Sequence, residues 1–310
     1  MSTEVGERCQ AAAAAATTWG GLDRRLLLGI GFMCLTGLLF PVMNAFAKIL
    51  GADYSSLQVS WARAFGHIVF MLAAFLPRHG LGMLRTRRPG TQLLRSAMLF
   101  ASNLCFFYAI TFIPIAKAAA ISLTAPLIVA LLAWPMLGER TTPARVLALA
   151  VGFAGVLVVI RPGTVVFHWA SLFVLASASC YGVYQILTRR IAAIDSPATS
   201  AIYSSVVGAF AMLLVMPFVW ITPASVFDLA LFCGMGALGA LGHYCVARAM
   251  AYAPANMVSP FQYVQLLGAV AVGWAVFGDL PDGFTWLGAA VIVASGLHIG
   301  WSQARAVPRA

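Results

Sequence analysis

Arg63 is the side chain whose setting most needs explaining. It sits near the middle of the apolar stretch SWARAFGHIVF, where an arginine costs about 2.5–3.5 kcal/mol unless it is partnered or serves a function. Ser56, Ser60, Arg63 and His67 recur at helical spacing and share one face. On a cavity wall, such a face would hold a carboxylate or other anionic group of a small molecule. The competing reading is an arginine tied to backbone carbonyls at a helix break. Asn256, Ser259 and Gln262 stand three apart and form a second polar stripe, flanked by Tyr263 and Gln265. Amides and a phenol in an apolar segment must find partners, either on a neighbouring helix or on a solute. Asn44 and Gln185 offer two more amides. Tyr181 and Tyr184 can stack on a ring or anchor a helix at an interface. His243 can shuttle a proton or simply pack with a hydrogen bond. The chemistry these groups offer is recognition and orientation, not bond making.

The absences agree. All nine carboxylates, Glu139 and Asp279 among them, fall in tails, loops or helix ends. No acid therefore lies at mid-depth, where cation pumps and most proton-coupled carriers use one. The six cysteines form no CxxC pair and read as inert thiols, without metal or disulfide. No HExxH, Walker or GxSxG motif occurs, so no catalytic residue and no cofactor is assigned. Gly234, Gly236 and Gly239 spell GxGxxG, but no strand precedes them. With Gly242 they read as a small-residue stripe that admits another helix closely.

The elements that must position these groups follow from composition. Hydrophobic residues make up 62% of the 310 positions and charged residues 9%, against roughly 25% charged in a soluble domain. A polytopic membrane protein in a lipid bilayer fits. The net charge of +10 sits in short clusters between apolar runs, so nucleic acid is not a partner. A spanning helix needs about 20 apolar residues. Ten such runs occur, at about 26–48, 54–76, 94–112, 116–137, 144–161, 167–188, 198–220, 227–252, 256–277 and 284–302. The fifth is short and the eighth long. With the N-terminus inside, Arg24, Arg25, Arg85, Arg87, Arg88, Arg189 and Arg190 all fall on the cytoplasmic side. Both termini are then cytoplasmic.

The chain also repeats itself. Ala109–Glu139 lies without a gap on Ala249–Asp279, 140 positions on, matching Pro114 to Pro254, Trp134 to Trp274 and Gly138 to Gly278. Five helices per half is an odd number, so the second half enters from the opposite side and the repeat is inverted. Asn44 and Gln185 then correspond, as do Lys48 and Arg189. Inverted repeats are the architecture of many secondary transporters, with the site between the halves at mid-membrane.

The two repeated segments, Pro126–Glu139 followed by VGFAGVLVVIRP, and Pro260–Asp279, resemble the drug/metabolite transporter superfamily in its ten-helix EamA-like branch. ITPASVFDLALF and SPFQYVQLLGAVAVGWAVFGDLPDG resemble the bacterial branch that includes S-adenosylmethionine uptake carriers, with riboflavin carriers near it. The resemblance implies a basket of helices around a central cavity. It also implies that the fifth and tenth helices support contact between halves or between copies, as in a homodimer.

The expectation is therefore an all-α membrane protein: ten transmembrane helices, as two inverted five-helix repeats around a central cavity. Residues 1–23 form a cytoplasmic tail, 24–163 and 164–303 the two repeats, and 304–310 a second tail. The chain is read as a multi-pass inner-membrane carrier of a small organic solute, S-adenosylmethionine and amino acids among the candidates. Arg63, Asn44, His67, Tyr181, Gln185, Asn256, Gln262 and Tyr263 are its candidate binding residues, and His243 its candidate for proton coupling.

Overall fold

The computed structural model describes residues 18–19, 22–137, 143–164 and 167–306. Most of both expected tails, and Glu139, lie outside the described residues. One short antiparallel pair, β1 (Thr18–Trp19) and β2 (Leu22–Asp23), precedes the first helix; the rest of the regular structure is helical. Three long helices follow: α1 (Arg24–Leu50), α2 (Ser56–His79) and α3 (Pro89–Ile110). The next apolar run is split into α4 (Ile115–Ser122) and α5 (Ala125–Leu137), and α6 (Pro143–Ile160) and α7 (Ala170–Ile191) come after it. The run expected as one helix over 198–220 is divided into α8 (Pro197–Tyr203), α9 (Val206–Ala211), a 3-10 turn at Met212–Leu214 and α10 (Met216–Val219). Then come the long α11 (Val226–Tyr252), α12 (Ala255–Val258), a 3-10 turn over Ser259–Tyr263, α13 (Val264–Phe277) and α14 (Gly283–Ala306).

Among the described residues, eight segments are long and apolar enough to cross a membrane. Two further apolar stretches, Val146–Ile160 and Gly283–His298, are shorter and correspond to the fifth and tenth expected runs. The outer surface is apolar, with Leu214, Phe218 and Val226 all more than 80% exposed. Such a surface suits lipid, where every backbone group must be bonded within the protein.

Local chemistry explains the breaks. Pro126 has no N–H to return to Ser122, so the helix is interrupted between α4 and α5. Pro260 has the same effect between α12 and α13. No proline stands between α8 and α9; there the Ser204 hydroxyl bonds back to Ser200 O at 2.9 Å, a contact that competes with the helical ladder. Ser55 and Ser196, 141 positions apart, are both N-caps, for α2 and α8.

The helices pair across the halves. α1 packs along α11, α3 along α7 and α6 along α14. Glycines set the closest approaches. Gly66 of α2 meets Gly236 of α11 backbone to backbone, and Gly155 of α6 meets Gly288 of α14. The stripe read at Gly234–Gly242 thus seats α11 on α1 and α2: Gly234 lies against Phe46 and Gly242 against Phe40. Of the thiols, Cys245 is buried, but Cys233 is exposed on the outward face of α11.

Side-chain clasps join the halves at each end. At the end holding the C-terminus of α1, Tyr54 OH donates to Asp228 Oδ2 at 2.9 Å, and Lys48 meets Asp279 at 3.3 Å. Arg161 bonds Asp282 there. Burial pushes the Asp282 carboxyl up, but hydrogen bonds from Thr285 and Arg161 outweigh it and bring the group down to about 2. The small stabilisation from that depressed value is present above about pH 4 and fades as pH falls toward 2. Asp282 is about half exposed, so solvent screens the pair strongly. Asp282→Asn is expected to lower the thermal midpoint slightly at pH 5 and not at pH 2. Equal shifts at both pH values would show that the charge contributes nothing.

Candidate functional site

A central cavity opens where the broken helices meet α1, α3, α7 and α11. Phe40, Met43 and Asn44 line it from α1, and Ser102, Asn103 and Phe106 from α3. Ser122, Leu123, Ala125 and Pro126 come from the α4–α5 break, and Gln262 and Gln265 from the α12–α13 break. Ser177, Ala178 and Tyr181 of α7 and His243 of α11 complete the wall. Phe40 and Tyr181 are 141 positions apart, while Asn103 and His243, Ser122 and Gln262, and Ala125 and Gln265 are each 140 apart. The repeat offset therefore maps much of the lining onto itself.

Interrupted backbone at this depth is tolerated where it lines a cavity. Among the described residues the lining carries no lysine, arginine, aspartate or glutamate. Its polar groups are four amides (Asn44, Asn103, Gln262, Gln265), three serine hydroxyls, the Tyr181 phenol and the His243 ring. Phe40, Phe106 and Tyr181 supply ring faces. The cavity volume is about 70 Å³, well under the roughly 300–1,000 Å³ of a ligand-filled pocket.

The sequence-derived candidates divide at this wall. Asn44, Tyr181, Gln262 and His243 line the cavity. Gln185 stands one layer back: its Nε2 donates to Gln262 Oε1 at 2.7 Å, and Gln262 Nε2 donates to Tyr181 OH at 3.0 Å. Gln185 thus fixes the amide orientation of Gln262. Tyr263 is turned the other way, its hydroxyl packed over Gly296 of α14. The side chain of Asn256 lies outside the described residues.

Arg63 is off the wall too. It is 1% exposed and flanks Gly239, as does the cavity-lining Met43. His67 is equally buried: its Nε2 lies 2.9 Å from Ala201 O, and its ring is 5.8 Å from that of His243. The face shared by Ser60, Arg63 and His67 is real, but it looks toward α8–α9 and α11. In this structure the face packs against other helices and not on the cavity wall: on so buried a helix, the spacing fixes which residues share a face and not which neighbour that face meets.

A second buried arginine went unnoticed in the sequence. Arg95 of α3 is 0% exposed. Its Nε and Nη2 donate to Gln92 Oε1 at 3.0 and 2.8 Å, its Nη1 to Thr188 Oγ1 at 3.2 Å, and its Nη2 also to Ser200 O. Gln92 Nε2 in turn donates to Asp195 Oδ2 at 2.9 Å. Asp195 also accepts from Thr86 and, at 3.2 Å, from Arg87 N. Tyr184 lies under the Arg95 guanidinium, 5.2 Å from ring centroid to Cζ, and its hydroxyl stands 3.3 Å from His243 Nδ1. The signal was available: Gln92, Arg95 and Ser96 share a face near the start of an apolar run. In a run starting at 94, Arg95 falls in the first turn, at the edge of the apolar span. Among the described residues no cluster of three metal-ligating side chains occurs.

Comparison with known proteins adds the family context. The EamA-like transporter family matches residues 27–161 and again 168–300. An S-adenosylmethionine uptake transporter of Rickettsia felis is 29% identical over 91% of this chain and 96% of its own. A riboflavin transporter of Rhizobium johnstonii is 32% identical over 91% and 93%. A pseudopaline exporter of Pseudomonas aeruginosa is 28% identical over 86% and 94%. A solved structure of 21% identity superposes with a TM-score of 0.64, covering 93% of this chain and 99% of its own, and so shares the fold.

Proposed function

Because this chain belongs to the EamA-like transporter family, it is a membrane transporter and not an enzyme, and we propose that it is a ten-helix secondary carrier working by alternating access. Two inverted five-helix halves, about 24–163 and 164–303, would rock about the central cavity. The repeat-related pairs in the lining support this reading, as does the exchange of partners in which α1 packs on α11 while α3 packs on α7. The small cavity and the clasps at both ends suit a contracted state that must open on one side to take a solute. By the arginine distribution, the carrier sits in the inner (cell) membrane with both termini cytoplasmic. A homodimer would use the outward faces of α6 and α14.

One observation carries the substrate class: the cavity wall is rich in amides and aromatic rings and, among the described residues, has no charged side chain. Such a wall suits a neutral, planar, hydrogen-bonding metabolite. Riboflavin fits that description better than S-adenosylmethionine or an amino acid, whose charges would be desolvated without partners. In this reading Phe40, Phe106 and Tyr181 stack on a ring, and Asn44, Asn103, Gln262 and Gln265 bond its edge. A second reading keeps the expected role of Arg63 as holder of a substrate carboxylate. It is favoured by Arg63 Nε and Nη1, which are buried and have no protein partner.

Proteoliposome uptake of labelled riboflavin, S-adenosylmethionine and an amino-acid panel separates the readings. Runs with and without a pH gradient, and with and without solute preloaded inside, define direction and coupling. Saturable riboflavin uptake is expected, and acceleration by preloading identifies exchange. Dependence on the pH gradient would make His243 the coupling group. Gln262→Leu is expected to cut uptake about 10–100-fold, the effect of stranding one buried hydrogen-bonding group. Uptake of S-adenosylmethionine or an amino acid, with riboflavin excluded, would overturn the neutral-substrate reading. Normal transport by Gln262→Leu would remove this cavity as the site.

A further inference from the structure

The fully charged side chains buried among the described residues are Arg63, Arg95 and Asp195. Arg95 reaches Asp195 through Gln92, so that cation and that anion balance. Arg63 has no such outlet. No carboxylate pairs with it among the described residues, and its Nε and Nη1 are buried without a protein hydrogen-bond partner. A buried guanidinium stays protonated, and leaving it uncompensated is expensive.

Other orphaned polar atoms gather at the same level. Ser60 Oγ, Ser205 Oγ and His243 Nε2 are also buried without partners. Ser60 lies one helical turn from Arg63 on the same face of α2. The position of Ser205 follows from its neighbours. His67 bonds Ala201 O, Gly208 lies against Ala64, and Trp61 Nε1 donates to Ala209 O. Ser205 therefore sits in the break between α8 and α9, opposite the Arg63 turn. His243 arrives from α11, its ring stacked near His67. When its Nδ1 accepts from Tyr184 OH, its Nε2 carries the proton and can donate. His67 is different: its Nε2 is the donor to Ala201 O, so Nδ1 carries only a lone pair when the ring is neutral.

We propose that Arg63, Ser60, Ser205 and His243 form a buried binding site for a small monovalent anion of the chloride class, one layer behind the substrate cavity and sharing His243 with its wall. The donor set is a guanidinium, two hydroxyls and a ring N–H drawn from α2, the α8–α9 break and α11. It supplies donors from several sides and one unbalanced positive charge, which a monoanion neutralises. The space is tight: a Cβ added at Gly239 would already lie 3.3 Å from Arg63 Nη1. A monatomic ion carries no substituent that this packed interior would have to house, unlike an organic carboxylate. An ion there would tie α2, the α8–α9 break and α11 together.

The test is thermal unfolding of the purified full chain in detergent, at constant ionic strength, as sodium gluconate is replaced by chloride or bromide. The midpoint should rise saturably by roughly 2–4 °C, and Arg63→Gln should abolish the rise. If Arg63→Gln does not fold, Ser60→Ala and Ser205→Ala serve instead, each raising the halide concentration needed for half the effect at least threefold. No halide response in the unmodified protein overturns the proposal. So does a response that all three variants keep. An acetate or amino-acid response dependent on Arg63, with none to halide, also overturns it and assigns Arg63 to a substrate carboxylate. No transported solute is present, so failure of the riboflavin reading leaves this result standing, and failure here leaves the transport reading untouched.

Discussion

Gly236→Leu is expected to prevent assembly of the bundle. A Cβ at position 236 would lie 2.6 Å from the carbonyl carbon and 2.7 Å from the Cα of Gly66. Both are backbone atoms of α2, so no rotamer change relieves the clash, and α2 and α11 must separate. Separation would carry Arg63 and His243 apart, and would also disturb the cavity wall, to which α11 contributes His243. Even the methyl of Gly236→Ala should cost about 1–3 kcal/mol, as overpacked interiors generally do. The leucine side chain should exceed what the fold can absorb, and the detergent-extracted protein should elute as aggregate in size exclusion. Gly31→Ala is the control. Nothing lies within 4 Å of a Cβ there, so it should hold or slightly raise the midpoint, as alanine does for glycine in a helix. A monodisperse Gly236→Leu protein with an unchanged midpoint would show that α2 and α11 are not in contact.

The glycine stripe shows what the sequence could reveal. Small residues at Gly234, Gly236, Gly239 and Gly242 declared a close helix contact before its partners were known, because spacing alone fixes which face they share. The same holds for the repeat: Ser122 and Gln262 could be aligned from the sequence, and both line one cavity. What remained hidden is which way each face turns. In a soluble helix, polar residues mark the side facing water. In this bundle lipid and core are both apolar, and polar residues face inward toward cavity and core alike. Asn44 and Gln262 therefore met the cavity, while Arg63, His67 and Tyr263 met other helices. Asp195 illustrates a second limit. Its place in a loop was legible, but the loop folds inward and leaves the carboxylate 8% exposed. Its partners Thr86 and Gln92 lie more than 100 positions away, and no local pattern brings them together.

Arg95→Met should destabilise the protein by about 3–5 kcal/mol, the usual result of removing one partner from a buried charged network. Arg95 donates twice to Gln92 Oε1, and it also bonds Thr188 Oγ1 and Ser200 O. Methionine fills the space of the side chain but bonds none of these groups, and it leaves Asp195 as a buried carboxylate with no cation behind Gln92. Arg95→Lys should be intermediate, because an ammonium keeps the charge but cannot reach all three acceptors in the planar geometry of a guanidinium. Arg95 and Asp195 never touch, so their coupling depends on Gln92, whose one amide takes bonds from Arg95 at its oxygen and gives one to Asp195 from its nitrogen. A double-mutant cycle of Arg95→Met with Asp195→Asn measures that link. The double variant should be less destabilised than the sum of the singles by more than about 0.5 kcal/mol, since neutralising Asp195 removes the charge that Arg95→Met leaves behind. Simple additivity would mean that the two charges are independent. Asp195 would then be stabilised by Thr86, Gln92 and Arg87 N without help from Arg95, and Arg95 would join Arg63 as a second cation in need of an anion.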